Sequence, residues 1–156
     1  MQTIRPALEA DTQGVISLVA EVYAEYGLKL DPEEDAERHI LTPGPYFRAS
    51  GGEFWVVVDA AGKVKATVAV YLHVDAGELK TLYVHPTWRR KGWGRRLSEL
   101  AMDYARRAGK RRMILWSDTR FLDAHRLYRR MGFSECGVRE LDDSNNTIEY
   151  GFEIFL

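Results

Sequence analysis

The sequence predicts one α+β domain organised around a mixed sheet. Apolar residues alternate strictly along Val64, Ala66, Val68, Val70 and Leu72, the period of a β-strand. From Gly92 the period changes, and Leu97, Leu100, Ala101, Tyr104 and Ala108 fall on one helical face. Two more strand-like segments follow the last helical pattern, and 156 residues suit one domain with one core, residues 1–156.

Thr3 to Pro6 reads as a short first strand. Asp11 offers an N-cap to a helix whose inner face is Val15, Leu18, Val19, Val22 and Tyr26, stopped at Gly27. Pro32 suits a first helical turn and predicts a second helix running to about Ile40. Thr42 to Gly52 holds two prolines and three glycines and reads as a loop. Phe54 to Val58 is aromatic and β-branched, and Asp59-Ala60-Ala61-Gly62 turns it into the alternating strand. Glu78 to His85 is the third strand of this group, ended by Pro86. Gly109 closes the helix that starts after Gly92, and Arg112 to Trp116 is a short buried strand. Ala124, Leu127, Tyr128 and Met131 form another helical face, closed by Gly132. Ser134 to Glu140 and Thr147 to Phe155 are the last two strands, joined by a turn at Asp142 to Asn146.

Hydrophobic residues make up 46% of the chain and charged residues 29%, which suits a folded water-soluble protein rather than a disordered one. No run of about 18 apolar residues occurs, so no membrane partner is expected, and Met1 to Ala10 lacks the apolar stretch of a secretory signal. Cys136 is the single cysteine, which fits a reducing, cytoplasmic location. No Cys/His cluster has metal-ligand spacing, and no metal is expected. The net charge of −1 hides an asymmetry: residues 1–78 balance at −7 and residues 79–156 at +6. The basic half suits a polyanion.

The chemistry concentrates in Leu82-Tyr83-Val84-His85-Pro86-Thr87-Trp88-Arg89-Arg90-Lys91-Gly92-Trp93-Gly94-Arg95-Arg96-Leu97, read as strand, basic glycine-containing loop and helix start. A helix start has unpartnered amide N–H groups and the positive end of the dipole, so it binds phosphate. Gly92 and Gly94 let backbone approach an anion closely, and Arg89, Arg90, Lys91, Arg95 and Arg96 add charge. The spacing matches neither the P-loop nor the dinucleotide fingerprint. These residues alone give a phosphate or pyrophosphate site of unspecified ligand.

Arg89-x-x-Gly92-x-Gly94, with Val84-x-Pro86 before it and Leu97 after it, resembles the R/Q-x-x-G-x-G/A signature of the GNAT superfamily of N-acetyltransferases. Ala124, Leu127-Tyr128 and Gly132-Phe133 resemble a second block of that family, and the likeness covers nearly the whole chain. It implies the GNAT fold, a three-layer arrangement in which a twisted, mostly antiparallel sheet of about six to seven strands is flanked by about four helices. It also implies acetyl-CoA as co-substrate. The main chain of Arg90, Lys91, Gly92, Gly94 and Arg95, with Arg89 and Trp93 beside them, would cradle its pyrophosphate. The backbones of Leu82, Tyr83 and Val84 would pair with its pantetheine arm like an added strand.

By the same resemblance Tyr128 is the general acid that protonates the leaving thiolate. Glu78, eleven residues before Arg89, is the expected base, placed by period two on one face with Lys80, Leu82 and Val84; it reads equally as an edge glutamate paired with Lys80. His85 and His125 read as exposed, and Cys136 as a buried or bystander thiol. Phe121 stands where many relatives carry asparagine, with Asp118 or Thr119 nearby as substitutes. The acceptor is an amine of a small molecule or peptide, met by Tyr23, Tyr26, Tyr46, Phe47, Trp55, Asp142, Asp143 and Asn145, which would suit a cation. The family also makes a homodimer an open assembly. Two rivals are a non-catalytic acyl-CoA sensor and a nucleic-acid-binding module, the latter opposed by the net charge.

Overall fold

Seven strands and four α-helices make up the computed structural model, which describes residues 2–156. Strands β1 (Thr3–Pro6), β2 (Glu53–Val58), β3 (Val64–Leu72), β4 (Gly77–Val84), β5 (Arg112–Asp118), β6 (Ser134–Glu140) and β7 (Ile148–Phe155) form one sheet in the order β1-β2-β3-β4-β5-β7-β6. Neighbouring strands are antiparallel except β4 and β5, which are parallel. Side-chain alternation along β2 sorts Phe54 and Val56 to one core and Trp55 and Val57 to the other. The first core is covered by α1 (Thr12–Ala24) and α2 (Pro43–Ala49), the second by α3 (Trp93–Arg107) and α4 (Leu122–Arg130). The result is the three-layer GNAT arrangement expected from the sequence.

Two local expectations are corrected. The helix expected from Pro32 to Ile40 is a series of turns ending in a 3-10 turn at Arg38–Leu41, and Asp31 competes for the backbone by accepting from the Glu33 amide at 3.0 Å. The expected loop over Thr42 to Gly52 instead contains α2. Pro43 and Pro45 occupy the first turn, where helix N–H groups have no partner to lose, and Phe47 is fully buried against Phe54 and Tyr71.

The feature that builds the site is the junction of β4 with β5. Their pairing is confined to Gly77 with Met113 and Glu78 with Ile114. Beyond that point β4 bulges: Thr67 pairs with Tyr83 while Ala69 pairs with Lys80, so two steps on β3 face three on β4. Thr81 sits at the bulge with φ 54°, a left-handed conformation costly for a β-branched residue, and its carbonyl accepts from the Thr67 hydroxyl at 2.7 Å. The strands splay and leave a V-shaped opening. The bulge also flips the side-chain alternation: Leu79 belongs to the α3–α4 core, and so do Leu82 and Val84, whereas Tyr83 turns to the α1–α2 side. Glu78 and Lys80 share the face of Tyr83, not that of Leu82 and Val84 as strict period two predicts.

Gly77 sits where the joint is tightest. A Cβ there would meet the Ala105 Cβ at 2.8 Å and the Met113 Sδ at 3.0 Å. Gly77→Ala is expected to destabilise the fold by about 1–3 kcal/mol through overpacking, read as a fall in Tm of roughly 2–12 °C. An unchanged melting curve would contradict the close approach.

Candidate active site

The basic loop forms the first part of the site. A 3-10 turn at Pro86–Trp88 leads out of β4, and Arg90 and Gly92 follow with φ of 60° and 84°. Residue by residue, the backbone N–H groups of Arg90, Lys91, Gly92, Trp93, Gly94 and Arg95 find no intramolecular acceptor among the described residues; the first helical bond runs from Arg96 N to Gly92 O at 3.0 Å. Six consecutive donors at a helix start make a concave anion site. Gly92 is needed for its conformation, since a Cβ there would touch nothing within 4 Å. Gly94 is needed for packing: its Cβ would lie 3.0 Å from the Leu127 side chain, so it lets α3 approach α4.

A groove of about 580 Å³ starts at these donors and runs between β4 and α4. Leu82, Tyr83, Val84, Arg89, Arg90, Gly92, Trp93, Gly94 and Arg95 all line it. Lys91 is exposed and lines neither this groove nor the cavity described below. Arg126 and Arg130 of α4 add positive charge that sequence reasoning missed, because only the fold brings that helix face to the loop. Arg89 lines the groove and also has intramolecular partners. Its guanidinium bonds both oxygens of Glu25 at 2.8 and 2.7 Å, and its Nε donates to Val84 O at 3.1 Å. It clamps the loop to the end of α1. Trp93 stacks on Trp88, and Arg96 lies over its ring.

The V-shaped opening holds a second cavity, of about 90 Å³. It shares Leu82, Tyr83, Phe121 and Ala124 with the groove, so the two spaces meet beside these residues. Tyr128 lines the cavity, and its ring packs against Phe133 and Phe152. Its hydroxyl has no hydrogen-bond partner among the described residues. Because no enclosed side-chain polar atom there lacks one, that hydroxyl opens into the cavity. Burial holds the Tyr128 pKa above the ordinary phenol value, which keeps the proton available for donation.

Opposite Tyr128 lies a chain of polar groups. The Tyr83 hydroxyl donates to the Tyr23 hydroxyl at 3.4 Å, and Tyr23 donates to Glu37 Oε1 at 2.8 Å. Burial raises the Glu37 pKa to about 7; the Tyr23 hydrogen bond acts the other way and the nearby Glu149 reinforces the rise. A carboxyl poised near neutrality in a cavity has the properties of a general base. Glu37 was missed because it ends an acidic run, Asp31 to Glu37, that reads as solvated surface.

Glu78 does not line either space. Its carboxylate bonds His73 Nε2 at 2.8 Å and lies 3.6 Å from Lys80 Nζ, behind the lysine that does line the cavity. Of the residues expected to meet the acceptor, Tyr23 and Asn145 line the cavity and Tyr26 the groove, whereas Trp55 is core packed on Tyr104, and Tyr46, Phe47, Asp142 and Asp143 line neither. Phe121 packs on Tyr26 at 4.8 Å between ring centres, and Asp118 lines the cavity. His125 is buried, not exposed: it bonds the Ser117 hydroxyl at 3.1 Å, and burial lowers its pKa. His85 is largely covered and bonds Glu21 at 2.9 Å. Cys136 is exposed on the edge strand β6. Among the described residues no helix is long and apolar enough to cross a membrane, and no group of three or more His, Cys, Asp or Glu is placed to hold a metal.

This geometry has relatives. An uncharacterised N-acetyltransferase of Escherichia coli K12, YjgM, is 28% identical over 130 residues, covering 79% of this chain and 76% of that protein. A GNAT-family acetyltransferase structure from Staphylococcus aureus Mu50 superposes with a TM-score of 0.87 at 17% identity, covering 99% of both chains. A putative acetyltransferase of Salmonella typhimurium, solved with its cofactor acetyl-CoA, superposes with a TM-score of 0.74 at 20% identity, covering 99% of this chain and 94% of that one. The two structural likenesses are likenesses of fold. The model of the acetyltransferase (GNAT) family matches residues 16–133, from within α1 to the end of the second sequence block, and the chain belongs to that family.

Proposed function

We propose that residues 1–156 form one N-acetyltransferase domain that moves the acetyl group of acetyl-CoA directly onto a primary amine within a ternary complex. The observation that carries this reading is the meeting of a basic groove with a polar cavity at Leu82, Tyr83, Phe121 and Ala124. Acetyl-CoA, when bound, supplies an acyl group activated as a thioester. The residues present fit it: six free N–H donors suit a diphosphate. The edge of β4 beyond Glu78 is left by β5 and is open to a peptide-like arm.

Glu37, acting through Tyr23 or water, removes a proton from the acceptor ammonium and passes it to solvent. The amine nitrogen bonds the acyl carbon as the carbon–sulfur bond breaks. Tyr128 gives its proton to the departing sulfur and recovers one from the new amide nitrogen, so the products are an N-acetyl amine and a free thiol.

A thiol-release assay with acetyl-CoA and a panel of amines tests this reading. Amine-dependent release is expected; its absence for every amine would contradict the proposal. Tyr128→Phe is expected to slow turnover about 10- to 100-fold while coenzyme affinity changes less than about threefold. The effect is modest for an acid because a thiol of pKa near 8.5 is already a fair leaving group. Equal turnover of variant and parent would remove Tyr128 from the mechanism.

A further inference from the structure

Three features of the cavity bear on what it accepts. The first is its roof. Asn145, in the β6–β7 turn, receives the Lys29 amide at 3.1 Å and returns its own side-chain N–H to Lys29 O at 2.7 Å. The Ser144 amide donates to Glu34 at 3.0 Å. These bonds join the β6–β7 turn to the segment between α1 and α2, and both contribute lining residues: Leu28 and Glu37 from one side, Leu141, Asn145 and Thr147 from the other. Arg120 fixes the turn further by donating to Asn145 O at 2.8 Å. These bonds hold the two segments together beside the cavity.

The second is size. The cavity, of about 90 Å³, is small beside the groove of about 580 Å³ that it joins. That suits a compact acceptor group.

The third is charge. Three carboxylates and one ammonium line the cavity: Glu37, Asp118, Glu149 and Lys80. Glu149 is bonded by Arg139 at 2.8 Å, and Asp118 by the Arg120 amide at 2.9 Å with the Arg120 guanidinium at 3.5 Å. Glu37 pairs with a phenol and with no cation within 4.0 Å among the described residues. Lys80 has only Glu78, at 3.6 Å, and Glu78 is shared with His73. One carboxylate and one ammonium therefore remain for a ligand. Lys80 lies two residues past the last β4–β5 pair, toward the closed end of the V, while Tyr83 also lines the groove; Lys80 is near enough to Glu37 to act on its charge.

Resting on the proposed acetyltransferase reading, we propose that the acceptor is a small zwitterion, a free amino acid or close analogue. Its carboxylate is bound by Lys80, and its amine is aimed past Tyr83 at the groove. Binding the carboxylate at the closed end fixes which end of the molecule meets the thioester.

The test compares free amino acids, their α-amides, spermidine and a lysine-containing peptide as acceptors at saturating acetyl-CoA, with coenzyme binding measured in parallel. At least one free amino acid is expected to exceed its amide tenfold or more in kcat/KM, with the peptide inert. Lys80→Met should bring that ratio close to one, mainly through KM, and Lys80→Arg should retain it. An amide, spermidine or peptide used as well as the free amino acids would overturn the inference while leaving the acetyltransferase reading intact; so would a ratio unchanged in Lys80→Met that still binds coenzyme. Coenzyme binding with no acceptor used at all would overturn both.

Discussion

Gly92→Glu is expected to weaken acetyl-CoA binding about 100- to 1,000-fold while the protein stays folded. The position has room, since a Cβ at Gly92 meets nothing within 4 Å. The backbone strain of a side chain at φ 84° adds about 1–2 kcal/mol. The larger effect is electrostatic. A carboxylate placed about 4 Å from a phosphate oxygen, at the effective dielectric of a protein surface, repels it by about 4 kcal/mol. Gly92→Ala brings the strain without the charge and should lose far less affinity. Calorimetric titration of the three proteins, with circular dichroism as the check on folding, gives the comparison. Equal affinity in Gly92→Glu and parent would mean that the diphosphate lies elsewhere.

Glu37→Gln is expected to lower kcat/KM about 100-fold or more, the usual range for loss of a positioned base. The parent should gain activity as pH rises through about 7, where burial has moved this carboxyl. The variant should lack that rise. The groups facing Glu37 come from several elements: Tyr23 on α1, Lys80 on β4, Glu149 on β7, and Asp143 in the β6–β7 turn. Each perturbs the midpoint without itself being the base. Stability should move oppositely to activity. A carboxyl whose folded pKa is raised favours folding when protonated, and that contribution is lost as pH climbs from about 4.5 through about 7. Glutamine cannot ionise, so the variant should melt above the parent at pH 8 and close to it below pH 4.5. A pH–rate profile in the variant that keeps the parent's rise would assign the base to another group.

The two halves of the site were unequally legible in the sequence. The coenzyme groove is a local object, and Arg89 to Arg95 sit together in sequence, so strand, loop and helix start could be read directly. The role of Arg89 could not, because its partner Glu25 is 64 residues away. The acceptor cavity is assembled from five separated segments, and its key residues carry no local signal. Glu37 reads as a solvated acid until α1 and β4 bring Tyr23 and Tyr83 to it. Glu78 matched a motif position, yet the bulge at Thr81 set the face alternation against the period-two reading. His125 lies among charged neighbours on α4 but points inward to Ser117. In each case a single register or packing decision, invisible in the pattern of one segment, determined where the side chain went. The short helix α2 was hidden for the opposite reason: prolines and glycines signal a loop, although the first helical turn tolerates them.

The proposed function requires that unpartnered amides at the start of α3 hold the diphosphate of a coenzyme. Titrating acetyl-CoA into the unmodified protein by calorimetry tests it most directly. Saturable one-to-one binding is expected with Kd well below 1 mM, accompanied by a rise in Tm worth about 2.7 kcal/mol at 100 times Kd. Absence of heat and of any thermal shift at millimolar coenzyme would contradict it.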